Sequence, residues 1–178
     1  MSRRGRQKYN KAGYPFFITT AVNGFLKIFS LGDKYYNILI DNLQFYLKKH
    51  KADLNVYVLM PNHIHLIVSM PQGESISDFM RDVKKFTSKT IKENLKDDGY
   101  NSTVKKLIEL SDMGKFKFWM DRFDDVIVLN EKIMETKLNY IHYNPVKAGL
   151  VKEITDWKYS SSRNYYLDDN SVIEICKV

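Results

Sequence analysis

The order of predicted elements describes an α+β sandwich of ferredoxin-like type, an antiparallel sheet with helices packed on it. Three observations predict it. A β-rich hairpin occupies residues 54–68, a separate strand lies near the start of the chain, and amphipathic helical stretches alternate irregularly with these strands. At 178 residues with 44% apolar and 13% aromatic content, the chain is long enough for one domain with a proper core and too apolar for disorder.

Residues 1–13 hold Arg3, Arg4, Arg6, Lys8 and Lys11 without an acid. They form a basic arm ahead of a single domain at 14–178, either a solubilising tail or an arm that contacts phosphates. Residues 14–22 are aromatic and β-branched, hence a first strand, and Asn23-Gly24 marks a turn. Residues 33–51 read as a helix, with Tyr36, Ile40, Leu43 and Leu47 on one face. Lysines and His50 crowd its C-terminal end, where cations suit the helix dipole, so His50 reads as helix-end charge.

The hairpin follows as two apolar runs, 54–60 and 63–68, broken by Pro61-Asn62. The second run begins His63-Ile64-His65. Side chains two apart on a strand share a face, so both imidazoles project one way and Ile64 the other. Such a pair is part of a metal site that needs a third ligand from elsewhere, and His-x-His alone equally suits imidazoles bonded to backbone or facing solvent.

Ser75 with Asp78 resembles a capping box that opens a second helix, with Ile76, Phe79, Met80, Val83, Phe86 and Ile91 on its apolar face. Arg81, Lys84, Lys85, Lys89 and Lys92 form a basic stripe roughly opposite, a solvated face or a track for phosphates. Asp97-Asp98-Gly99 ends the helix, and residues 100–114 contain a short helix in a polar connection. Residues 115–119 alternate basic and aromatic side chains, as a strand with its aromatic face in the core or a platform for stacking unpaired bases. A further strand is predicted at 124–129. Asn130 caps a third helix over 131–143, which Asn144-Pro145 closes, and a last strand is predicted at 172–176.

On that third helix Tyr140 and Asn144 stand at i and i+4, about 40° apart around the axis and about 6 Å along it. If this face lies over the histidine strand, Asn144 supplies the missing oxygen ligand and Tyr140 stands beside a metal-bound phosphate. Tyr143 lies about 100° from Asn144 and is worse placed as a nucleophile. His142 points away from Tyr140, as a structural or surface group. A phenol with the ordinary pKa of about 10 is a poor nucleophile at neutral pH, so a divalent cation must help it by polarising the phosphate. Two imidazoles leave room for Mn²⁺ beside the oxygen-preferring Mg²⁺.

The charge of +7 favours a polyanionic partner. The single cysteine, Cys176, excludes an internal disulfide and a cysteine-rich zinc cluster. With no apolar run of membrane-spanning length and no apolar signal core, no membrane partner is expected and a cytoplasmic location is.

Together these residues resemble a family. Tyr57-Val-Leu-Met-Pro-Asn-His-Ile-His-Leu-Ile-Val68 resembles the His-hydrophobic-His ("HUH") segment of the small single-tyrosine transposases, and more narrowly of the REP-associated tyrosine transposases. Asn139-Tyr-Ile-His-Tyr-Asn-Pro-Val-Lys-Ala-Gly-Leu-Val151 with Asp156-Trp-Lys-Tyr-Ser-Ser161 is similar to the tyrosine helix and the Trp/Ser-Ser signature of that family, and Phe118-Trp-Met-Asp-Arg-Phe123 to a further block. The resemblance implies an HUH endonuclease core that cleaves single-stranded or hairpin DNA through a 5′-phosphotyrosine link, later resealed by a 3′-OH. It puts the metal histidines at His63 and His65, the nucleophile at Tyr140 and the remaining ligand at Asn144, where some relatives carry glutamine. Relatives act as monomers or homodimers. Two rival readings remain: a non-catalytic module that binds hairpin DNA or RNA, and a metal-dependent phosphodiesterase that uses water.

Overall fold

A computed structural model describes residues 14–178. The predicted arm residues Arg3, Arg4, Arg6, Lys8 and Lys11 lie outside the described residues. The strands are β1 (Pro15–Ala21), β2 (Asp53–Leu59), β3 (His63–Ser69) and β4 (Asp124–Ile127). The helices are α1 (Asp33–Lys49), α2 (Ile76–Asp97), α3 (Asn101–Glu109), α4 (Glu131–Lys147) and α5 (Ser162–Leu167). The sheet order is β2-β3-β1-β4, with every neighbouring pair antiparallel. This is the ferredoxin-like order expected of β-α-β-β-α-β connectivity, here with α3 inserted before β4.

Alternation along the strands sends two sets of side chains to opposite faces. Phe16, Ile18, Leu66 and Val68 pack with α1 and α2 residues such as Leu39, Leu43, Phe79 and Val83 into the larger core. Phe17, Val56, Val58 and Ile67 face the other way and meet Ile141 of α4 in a smaller one. A bulge between Leu54 and Val56 leaves Asn55 as the extra residue of β2. Its buried amide is satisfied at both ends: Nδ2 donates to the Cys176 carbonyl at 2.9 Å and Oδ1 accepts from Ser69 Oγ at 2.7 Å.

Ser75 does cap α2, accepting from the Asp78 amide at 3.4 Å, and Asn130 caps α4, accepting from Ile133 at 2.9 Å. Four expectations are corrected. Residues 115–119 form no strand: Trp119 makes a single bridge to Val22, and Phe118 and Trp119 are buried in the larger core, so they offer no stacking platform. Residues 172–176 are irregular, although the Cys176 amide donates to the Leu54 carbonyl at 2.9 Å. Helix α4 does not stop at Asn144. It runs through the buried Pro145 to Lys147 and closes at Gly149, whose φ of 68° permits the turn. A proline inside a helix costs about 3 kcal/mol through the bond it cannot donate, and burial of its ring offsets part of this. His50 is not merely helix-end charge; it is buried, with Nδ1 2.7 Å from Glu74 and Nε2 3.2 Å from Asp82.

The segment after α4 lines the outer edge of β2. Leu59 N donates to the Tyr159 carbonyl and Ser161 N to the Tyr57 carbonyl, both at 2.9 Å, while Trp157 Nε1 donates to the Leu59 carbonyl at 3.0 Å. The Trp/Ser-Ser signature thus covers an edge that would otherwise present unpaired backbone groups.

Candidate nucleic-acid cleavage site

His63 and His65 leave β3 on the same side as Ile67, toward α4, as the two-residue spacing requires. Their rings stand 4.8 Å apart between centroids. His65 is 3% exposed. Its Nδ1 lies 2.7 Å from the Thr19 hydroxyl on β1, which pairs directly opposite. Burial, then the neighbouring His63 and Lys137, drive its pKa from 6.5 down to about 3, so the ring is neutral. Its Nε2 is buried without a hydrogen-bond partner among the described residues. An orphaned polar atom of this kind costs about 1–3 kcal/mol and calls for an explanation. His63 is also held below its ordinary pKa by burial, against an opposing hydrogen bond from the protonated ring to the Asn144 side chain.

Helix α4 brings its tyrosine to this pair. The Tyr140 ring meets His65 edge-on with centroids 5.1 Å apart, and meets Phe17 of β1 at 5.9 Å. It remains 40% exposed, so it is packed on one side and open to a ligand on the other. Because α4 continues past Asn144, the i and i+4 relation survives intact: Tyr140 reaches His65 while Asn144 reaches His63. Tyr143 is exposed on another side of the helix. His142 points inward, as a structural group, with Nε2 2.9 Å from Ser161 Oγ.

The donors fit a divalent cation in kind. Two neutral imidazoles, one with an orphaned nitrogen, stand beside an amide oxygen, and nitrogen with oxygen ligands suits Mn²⁺ and similar ions. Among the described residues no third histidine, cysteine or carboxylate joins them. Asn144 is the neighbouring side chain that could add an oxygen donor to the two imidazoles.

Two lysines that the sequence reading does not single out lie beside the tyrosine. Lys137 Nζ sits 4.2 Å above the Phe17 ring and 6.0 Å from the Tyr140 ring, and Lys147 Nζ lies 5.8 Å from the same tyrosine. The signal was available, since i−3 and i+7 share the helical face of Tyr140. The stripe on α2, by contrast, is not brought to the site. Helix α2 packs on the opposite face of the sheet. There Arg81 pairs with Asp78 and Asp82, and Lys84 donates to the Met120 carbonyl at 2.6 Å. Lys85 lies 5.6 Å from the Phe86 ring, and Lys89 is exposed.

The profile of the family described as "Transposase IS200 like" matches residues 29–144. The chain is 29% identical over 111 residues to the REP-associated tyrosine transposase of Escherichia coli, a match covering 61% of this chain and 53% of that protein. It therefore spans about half the length of that relative. A Haemophilus influenzae relative is 27% identical over 165 residues, 88% of this chain and 83% of its own. Among solved structures, a REP-associated tyrosine transposase bound to a REP hairpin superposes with a TM-score of 0.70 at 22% identity, over 100% of both chains. A Deinococcus radiodurans crystal structure gives 0.51 at 15% identity, over 79% of this chain and 95% of that one.

Proposed function

Since the chain belongs to the IS200-like transposase family, we propose that it cuts and rejoins single-stranded or hairpin DNA through a covalent link to Tyr140. In this reading His63, His65 and Asn144 hold a divalent cation, Mg²⁺ or Mn²⁺. One arrangement carries the reading: a half-exposed tyrosine in edge contact with a buried, neutral histidine whose Nε2 has no partner among the described residues. The relative solved with a REP hairpin supports hairpin DNA as the substrate class.

When bound, the cation supplies Lewis-acid polarisation of the scissile phosphate and neutralises charge on its oxygens. The chain's own residues do the rest. Lys137 and Lys147 frame the tyrosine with positive charge and hold a phosphodiester against it. Phe17 and His65 hold the phenol ring at a fixed angle, which converts encounter into alignment. Tyr140 Oη, having given its proton to solvent, attacks phosphorus. The bond from phosphorus to the 3′-oxygen breaks, and that oxygen takes up a proton as the 3′-OH. The product is a phosphotyrosine on the 5′ end, and attack by a 3′-OH runs the same steps in reverse.

The test is a denaturing gel of the protein incubated with end-labelled single-stranded and hairpin DNA and Mn²⁺. A labelled protein–DNA adduct is expected. Cleavage without an adduct would identify a water-using phosphodiesterase, and binding without cleavage a non-catalytic hairpin-binding module.

A further inference from the structure

Asn62 lies in the short break between β2 and β3, directly before His63, and both ends of its amide are engaged. Nδ2 donates to the Phe25 carbonyl at 3.1 Å, and Oδ1 lies 2.7 Å from His63 Nδ1. A backbone carbonyl can only accept, so the end of the amide that faces Phe25 is its NH₂ group. The end that faces His63 is then the oxygen, which also can only accept. Against that oxygen His63 Nδ1 carries the proton, which in the neutral ring leaves the lone pair on Nε2. The Asn144 side chain also bonds this ring, and an Nε2–H tautomer held by its oxygen is the competing arrangement.

His65 is not constrained in this way. Its Nδ1 partner is the Thr19 hydroxyl, which can donate or accept and leaves the tautomer open. The Phe25 carbonyl is itself presented by an unusual backbone. Phe25 has φ 53° and follows Gly24 at φ 64°, two successive left-handed residues of which only the glycine is at ease. A bulky residue kept in that region points to a backbone held for a purpose.

We infer that Asn62 is a positioning residue: anchored by the left-handed turn at Gly24 and Phe25, it locks His63 in the Nδ1–H tautomer and so offers Nε2 to the cation. The inference rests on the reading that His63 is a metal ligand. Outer partners of metal-binding histidines set tautomer and ring orientation in this manner, and their loss weakens metal binding about 10- to 100-fold.

The test uses the full chain, ¹⁵N-labelled and metal-free at pH 8, with the four imidazoles resolved by long-range ¹H–¹⁵N correlation and His63 assigned through His63→Ala. Wild type should show a protonated Nδ1 and an unprotonated Nε2 on His63. Asn62→Ala should release the ring toward the Nε2–H form, whereas Asn62→Asp, which keeps the acceptor, should retain Nδ1–H. Mn²⁺ titration, followed by the resonance of the free ion, should give an affinity about 10- to 100-fold lower for Asn62→Ala than for wild type. An Nε2–H tautomer in wild type, or an unchanged tautomer in Asn62→Ala, overturns the inference. The wild-type spectrum decides alone if Asn62→Ala fails to fold. A locked tautomer in a wild type that takes up no Mn²⁺ would uphold the hold of Asn62 on His63 and reject the metal site itself.

Discussion

His142 and Ser161 meet inside the molecule, imidazole Nε2 to hydroxyl at 2.9 Å, and tie the tyrosine helix to the edge of the sheet. The same hydroxyl also donates to the Tyr57 carbonyl at 3.1 Å and accepts from the Tyr57 amide at 2.9 Å. Burial drives the pKa of His142 from 6.5 down to about 4, so the folded protein keeps this ring neutral where the unfolded chain would protonate it. The unfolded state then binds more protons, and stability falls as pH drops from about 6.5 toward 4. Between pH 7.5 and pH 4.5 this residue should account for about 2–3 kcal/mol of lost stability. Urea unfolding at the two values, in wild type and His142→Gln, measures it. An equal loss in both proteins would acquit His142.

Ser161→Ala removes a hydroxyl that serves three partners in a buried place and leaves His142 Nε2 and the Tyr57 amide short of theirs. The expected cost is about 1–3 kcal/mol. Thermal unfolding should show it, together with loosening of the segment along β2, readable as faster amide exchange at Leu59.

Tyr140→Phe keeps the ring and its contacts with His65 and Phe17 and removes only the hydroxyl. It should fold and bind hairpin DNA like wild type but form no adduct and cut nothing. Tyr143→Phe should retain most activity, since that ring is exposed on another side of α4. Activity in the first variant with loss in the second would move the nucleophile three residues along the helix, to Tyr143.

The two basic surfaces make opposite predictions. Lys137→Met removes a cation beside Tyr140 and should weaken binding across DNA sequences, lowering the salt dependence of the affinity by about 0.7–0.9 in log–log slope. The paired change Lys85→Glu and Lys89→Glu reverses charge on the far side of the sheet and should leave adduct formation within about threefold, since distant exposed charges are screened by salt. Fluorescence anisotropy over a salt series and the adduct gel decide between them. A larger loss of adduct from the α2 pair than from Lys137 would return the DNA track to that helix.

Much of the site was legible in the sequence because it depends on local periods. Two residues along a strand return to one face, so His63 and His65 had to project together wherever the strand lay. Four residues along a helix return to one face, so Tyr140 and Asn144 had to share a side, as Ser75 and Asn130 had to cap the helices they precede. A period says which side chains of one element travel together, but not which other element they meet. Only the tertiary structure decided that α4 covers the histidine face while α2 lies behind the sheet, which separates the lysine stripe from the tyrosine. Thr19 reached His65 through the pairing of β1 with β3, a relation between residues 46 apart that no local pattern encodes. Local preference also misled at Pro145. The bias of a residue before proline away from helix is worth less than the burial that α4 gains by running on, and that continuation is what keeps Asn144 in line with Tyr140.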